Sequence, residues 1–214
     1  MDGKKFQGPD RNCPLCPRLV GFRDENRERF PTWHNAPVSP FGSLDARLLI
    51  VGLAPGLRGA NCTGRPFTGD WAGDLLYDTL LAKGLARGTY AERPDDGLEL
   101  IDCRITNAVR CVPPANRPTP AEAKACRPFL VDELAAMPNL RAVLAIGGFA
   151  HEAVIASLGG KKSAFPFAHG AVHQLSPQIT MVDSYHCSRL NTNTGRLTAE
   201  MFAAVVQEAI SHLR

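Results

Sequence analysis

Four of the seven cysteines in this 214-residue chain are spaced in a way that suits metal chemistry. Cys13 and Cys16 form a tight pair, and Cys111 and Cys126 a wider one. Thiolate sets of this kind hold soft metals, either an iron–sulfur cluster or zinc. Structural zinc more often uses two tight pairs, so the open second pair leans towards iron–sulfur, with zinc as the alternative. Four unrelated buried thiols are the plainest reading. Cys62, Cys103 and Cys187 remain as ordinary thiols, and an odd count in a reducing compartment argues against a disulfide framework. A second concentration of chemistry lies between Gly52 and Asp70. Gly52-Leu-Ala-Pro-Gly56 leads into Thr63-Gly-Arg-Pro-Phe67-Thr-Gly-Asp70, which sets an aromatic ring three residues before a carboxylate. On one pocket rim, the two would bind a planar polar ligand. The glycines let backbone approach a phosphate or a flat group closely. The loop has neither the Gly-Lys-Ser/Thr ending of a P-loop nor a Gly-x-Gly-x-x-Gly fingerprint. The plainer roles are a helix cap for Asp70 and core packing for Phe67.

The elements that must position these residues follow from composition and pattern. With 44% hydrophobic and 21% charged residues and a net charge of +3, the chain suits one compact domain spanning 1–214 and is not a disordered one. The apolar runs at 48–57 and 142–150 are too short to cross a bilayer, and the N-terminus has no signal-peptide core. A soluble, cytoplasmic protein is expected. Residues 1–45 are punctuated by Pro14, Pro17, Pro31, Pro37 and Pro40 and read as a loop-rich segment, which the metal site would tie to the rest. Continuous apolar runs at 47–53, 101–109, 141–146 and 179–184 read as four strands buried on both faces. Helices are expected after Asp70, from the Thr119-Pro-Ala-Glu122 capping box to about Pro138, and from Thr198 to the end. The alternation predicts a parallel sheet with helices on both faces. Ligand sites in such sheets lie beyond the carboxyl ends of the strands, where every run here meets a loop rich in Gly, Pro, Asn or His.

The loop from Gly52 to Asp70 resembles the first motif of the family 5, or type B, uracil-DNA glycosylases. His186-Cys-Ser188-Arg-Leu190-Asn-Thr-Asn-Thr-Gly-Arg-Leu-Thr198 is similar to that family's second signature. The four cysteines match its cluster ligands, and the stretch from Ile105 through Cys111 and Asn116 matches as well, so the likeness runs from Cys13 to about Met201. The resemblance implies an α/β fold, a three-layer α/β/α sandwich whose central, mainly parallel sheet has four strands. It also implies a [4Fe-4S] cluster on Cys13, Cys16, Cys111 and Cys126, and a monomer that hydrolyses the bond between deoxyribose and uracil or another deaminated base, such as hypoxanthine, in DNA. Such chemistry requires the target nucleotide to leave the stack.

By similarity, Phe67 stacks on the extruded base, with Gly52 and Ala54 among the substrate-binding positions. Leu190 fills the vacated space as an apolar wedge, and Ser188 meets a backbone phosphate. His186 steadies negative charge on the departing base. Leu53 and Ala54 stand where several related families carry an Asp, Glu or Asn, and neither can orient water. That shifts the acidic role to Asp70, with Asn116 as helper. Asn107 offers both a donor and an acceptor for the uracil edge, and is expected to increase uracil preference. Cys62 departs from the Arg common in the family, which puts a DNA role there in doubt.

Charge distribution is compatible with DNA. Arg104, Arg110 and Arg117 lie in an acid-free stretch, and Lys161, Lys162, Arg189 and Arg196 outnumber Asp183 in another. Both coincide with motif loops and would supply salt-sensitive phosphate attraction. The alternative to an enzyme is a non-catalytic iron–sulfur protein of the same fold that binds nucleic acid or carries electrons.

Overall fold

A computed structural model describes residues 6–214. In chain order it runs α1 (Pro17–Arg29), β1 (Leu48–Gly52), the single turn α2 (Ala60–Thr63), α3 (Trp71–Ala82), β2 (Ala86–Arg87), β3 (Glu99–Leu100), β4 (Cys103–Asn107), α4 (Pro120–Ala135), β5 (Ala142–Ile146), α5 (Gly148–Ser157), β6 (Val172–Ser176), β7 (Ile179–Ser184), α6 (Arg189–Asn193) and α7 (Ala199–Ser211).

The main sheet has the order β4-β1-β5-β7-β6. Its first four strands are parallel, in a register that aligns Ile105, Ile50, Leu144 and Val182 across the sheet. These are the four apolar runs of the sequence. Strands β1, β4 and β5 are buried at every residue, as strands covered on both faces must be. Alternate side chains feed two cores. Leu48, Ile50, Leu144 and Val182 pack with Leu76, Leu80, Phe202 and Val206 of α3 and α7. Leu49, Val51, Val143 and Met181 pack with Leu130, Val154 and Ile155 of α4 and α5. The result is the three-layer α/β/α sandwich.

The expected count of four strands is corrected to five. β6 pairs antiparallel with β7, placing Val172 opposite Val182. Its sequence, Val-His-Gln-Leu-Ser, has no apolar run, because an edge strand buries little and its residues are half-buried or exposed. The segment 1–45, read as loop-rich, also carries α1, which occupies 13 of its residues. Leu19 is the only apolar side chain α1 buries, so no periodic stripe announces it. Pro17 opens the helix in its first turn, where its missing N–H costs nothing.

The capping signals are realised. Thr119 accepts from the Glu122 N–H at 3.2 Å and the Glu122 carboxylate accepts from the Thr119 N–H at 2.7 Å. Thr198 accepts from the Met201 N–H at 3.2 Å and starts α7. No helix among the described residues is long and apolar enough to cross a membrane.

Candidate active site

Parallel strands leave their carboxyl ends together, and here the ends of β1 and β4 bring Gly52 and Asn107 into register as partners. A Cβ on Gly52 would lie 2.5 Å from Asn107 Oδ1 and 2.5 Å from Phe67 Cζ. Only glycine lets the amide and the ring settle over the end of β1. Asn107 is 3% exposed and lines the cleft described below, so its amide offers a donor and an acceptor at the end of β4.

Phe67 adopts the left-handed region with φ of 53°. Its carbonyl accepts from the Tyr90 hydroxyl at 3.3 Å, and the neighbouring Pro66 carbonyl accepts from Tyr77 at 2.6 Å. Arg65, clamped to Asp96 at 2.7 Å among Phe41, Tyr77 and Tyr90, fixes the loop from the other side. Backbone strain of this kind persists only where surrounding contacts over-determine it. Phe67 belongs to the α3–α7 core, the plainer of its two roles, and also lines the cleft described below.

Asp70 is the N-cap of α3, accepting from the Gly73 N–H at 3.3 Å. Its other oxygen lies against the glycines of the first motif: a Cβ would fall 2.7 Å from Oδ2 at Gly56 and 2.3 Å at Gly59. Burial raises its pKa above the ordinary carboxylate value, and the N–H groups of Gly73 and Ala72 oppose that rise. His186 follows β7. Burial pushes its pKa down to about 4, and its Nδ1 is buried with no partner among the described residues. The ring is therefore neutral at neutral pH and has polar capacity to spare.

A cleft of about 470 Å³ collects these groups. Asp70, His186, Asn116, Ala54, Phe67, Asn107, Ser188 and Leu190 all line it, and Gly52 lies directly behind Phe67 and Asn107. Asn116 sits exposed on a short 3-10 turn with φ of 54°. Ser188 precedes α6, and Leu190 within α6 is 73% exposed. Gly56 of the first motif and Arg189 of the basic stretch also line the cleft, as do Trp71, Ala72 and Ala60, to which no role was assigned from sequence. The position of Trp71 directly after Asp70 was the available signal for it. Cys62 is half-buried and does not line the cleft.

One expectation about charge fails. Arg104 and Arg110 are buried and paired with Glu133 of α4, at 2.6 and 2.5 Å. Neither is free for phosphate. Arg117, Lys161, Lys162, Arg189 and Arg196 are exposed.

Two groups of side chains have metal-ligating chemistry. Cys13, Cys16, Cys111 and Cys126 line one small apolar cavity with Leu19, Val109 and Phe129. Burial, reinforced by neighbouring thiolates, pushes Cys16 up to about 11 and Cys111 up to about 12. Such a set is ionised readily only beside a cation. The Arg110 N–H also points at Cys126 Sγ at 3.4 Å. The second group is His151, His173 and Asp183, whose ligand atoms lie within 4.8 Å of one another. There each Asp183 oxygen is already bonded to a ring nitrogen, at 2.8 and 3.0 Å, and His151 Nε2 meets the Phe165 carbonyl at 2.9 Å. These bonds clasp the 160–173 segment onto β7.

The fold and cleft define an α/β protein with an open cleft beyond its strand ends, lined by the aromatic Phe67, the amide of Asn107, the carboxylate of Asp70 and the imidazole of His186. Residues 39–210 match the family model described as the uracil DNA glycosylase superfamily. The chain belongs to that superfamily. It is 46% identical to a type-5 uracil-DNA glycosylase of Thermus thermophilus, over 98% of this chain and 97% of that one. It is 44% identical to a type-5 uracil-DNA glycosylase of Pyrobaculum aerophilum, over 92% and 88%. A type-4 uracil-DNA glycosylase of the same archaeon is 30% identical, over 87% and 83%.

Proposed function

We propose that this protein is a type-5 uracil-DNA glycosylase, which hydrolyses the N-glycosidic bond of uracil in DNA and so opens base excision repair. The observation that carries the reading is the convergence of Asp70, Phe67, Asn107 and His186 on one cleft. The family and the names of its relatives point the same way. We also read hypoxanthine as within its range, DNA as its partner, and a cytoplasmic monomer of one domain as its working form.

Cleavage of the C1′–N1 bond leaves positive charge on the sugar and the electron pair on the base. Asp70, as a carboxylate, stabilises the cation and orients a water, whose oxygen bonds C1′ while its surplus proton passes to the carboxylate. Asn116, at the cleft mouth, helps hold that water or the extruded nucleotide. The neutral ring of His186 donates an N–H to the departing base. Phe67 stacks on that base, while Asn107 pairs with its O4 and N3–H. The Gly52 and Ala54 backbone forms the adjoining wall, Leu190 fills the gap in the duplex, and Ser188 holds a phosphate.

Cys13, Cys16, Cys111 and Cys126 suit a [4Fe-4S] cluster. Structural zinc more often uses two tight cysteine pairs, so zinc is the less favoured alternative. When bound, the cluster ties the segment carrying α1 to β4 and α4.

A duplex with one uracil, incubated with cluster-loaded protein and then treated with alkali, tests the reading. Strand cleavage at the uracil is expected; intact strands would favour a non-catalytic binding protein.

A further inference from the structure

Trp71 is 49% exposed although it opens a helix whose Leu76 and Leu80 are fully buried. Its indole lies on the cleft wall directly after Asp70. The indole Nε1 donates to Thr192 Oγ1 of α6 at 2.8 Å, and the Arg189 guanidinium lies 5.7 Å from the ring centroid. The ring therefore sits beside α6, the helix that presents Leu190, and is held there by an oriented bond.

A side chain inserted into a duplex unstacks a base step and leaves the neighbouring base of that strand with a bare face. We propose that Trp71 is a second stacking surface of this site: Phe67 receives the extruded base, and Trp71 covers the nucleobase next to it while Arg189 meets the intervening phosphate. The proposal rests on the glycosylase reading above. Stacking on an aromatic face is sequence-tolerant, since every base has such a face, so Trp71 adds affinity for distorted DNA without selecting its sequence. The bond to Thr192 fixes the indole against α6, so wedge and platform approach the strand together.

Trp33 and Trp71 are the two tryptophans of the chain, and Trp33 stacks on Phe30, outside the cleft lining. In Trp33→Phe protein all indole emission reports Trp71. A labelled duplex with a tetrahydrofuran abasic analogue is titrated while its anisotropy and the indole emission are recorded together. Emission quenched in step with rising anisotropy is expected. Rising anisotropy with unchanged emission overturns this proposal alone, and no change in anisotropy overturns both it and the glycosylase reading. Trp71→Ala is expected to weaken binding of the same duplex about tenfold. Thr192→Val, which keeps the indole face, is expected to weaken it much less. Equal losses in the two variants would reduce Trp71 to a tether for α6 and contradict the proposal.

Discussion

The rings of Phe67 and His186 face one another across the cleft, 6.5 Å between centroids and 26° between planes. One ring offers an apolar face and the other, held neutral by burial, an N–H donor within the same space. His186→Ala is expected to lower the single-turnover excision rate about 10²- to 10³-fold, the usual cost of removing one donor to a developing anion. A rate within threefold of the native enzyme would remove His186 from the mechanism.

The pH profile follows from the signs of two shifts. In the proposed mechanism Asp70 acts as a carboxylate, and its pKa is raised, so activity is expected to be lost as pH falls through that raised value. His186 is proposed to act as the neutral ring, and burial pushes its pKa down to about 4. The acid limb of single-turnover rate against pH is therefore expected above the ordinary Asp value of about 3.9, and at an unchanged position in His186→Ala. A limb that moves with the histidine would assign it to the wrong group here.

Leu190 leaves 73% of its surface in water, so Leu190→Ala should leave the melting temperature nearly unchanged. Excision from duplex DNA is expected to fall about tenfold or more, while excision from a single strand changes little, because no stack has to be opened there. Equal losses on both substrates would contradict the wedge.

Asn107 stands opposite Gly52 and lines the cleft. Asn107→Ala is expected to reduce uracil excision about tenfold and hypoxanthine excision less. An unchanged ratio of the two rates would sink its part in base selection.

Cys126 of α4 lines the same small cavity as Cys13 and Cys16, and the proposed cluster would join the two segments there. Cys126→Ala is expected to lower iron and sulfide content and to cut the melting temperature by about 5 °C or more. Excision by the folded fraction should fall less than its DNA affinity. Full thermal stability with a lost redox response would instead make the cluster an electron carrier.

Strands β1, β4, β5 and β7 were legible because strands covered on both faces must be apolar throughout, and the helices after Asp70, Thr119 and Thr198 because each starts at a side-chain cap. The edge strand β6 and helix α1 bury few apolar side chains, so their pattern is weak. Gly56 and Asp70 could be recognised as motif residues, but the packing of one on the other depends on the left-handed turn at Phe67, which local pattern does not reveal. Arg104 and Arg110 look like a basic footprint until Glu133, far along the chain, is folded against them. Trp71 reads as an ordinary helical residue until α6 is in place beside it.

The central claim is that a carboxylate at position 70 carries the chemistry, beyond its service as a helix cap. Asn caps a helix as well as Asp does, so Asp70→Asn keeps the cap and removes the charge. Single-turnover excision of uracil by Asp70→Asn, measured beside its melting temperature, separates the two roles. The account predicts a rate lower by about 10²- to 10⁴-fold at a melting temperature close to the native one. Excision at the native rate would contradict it.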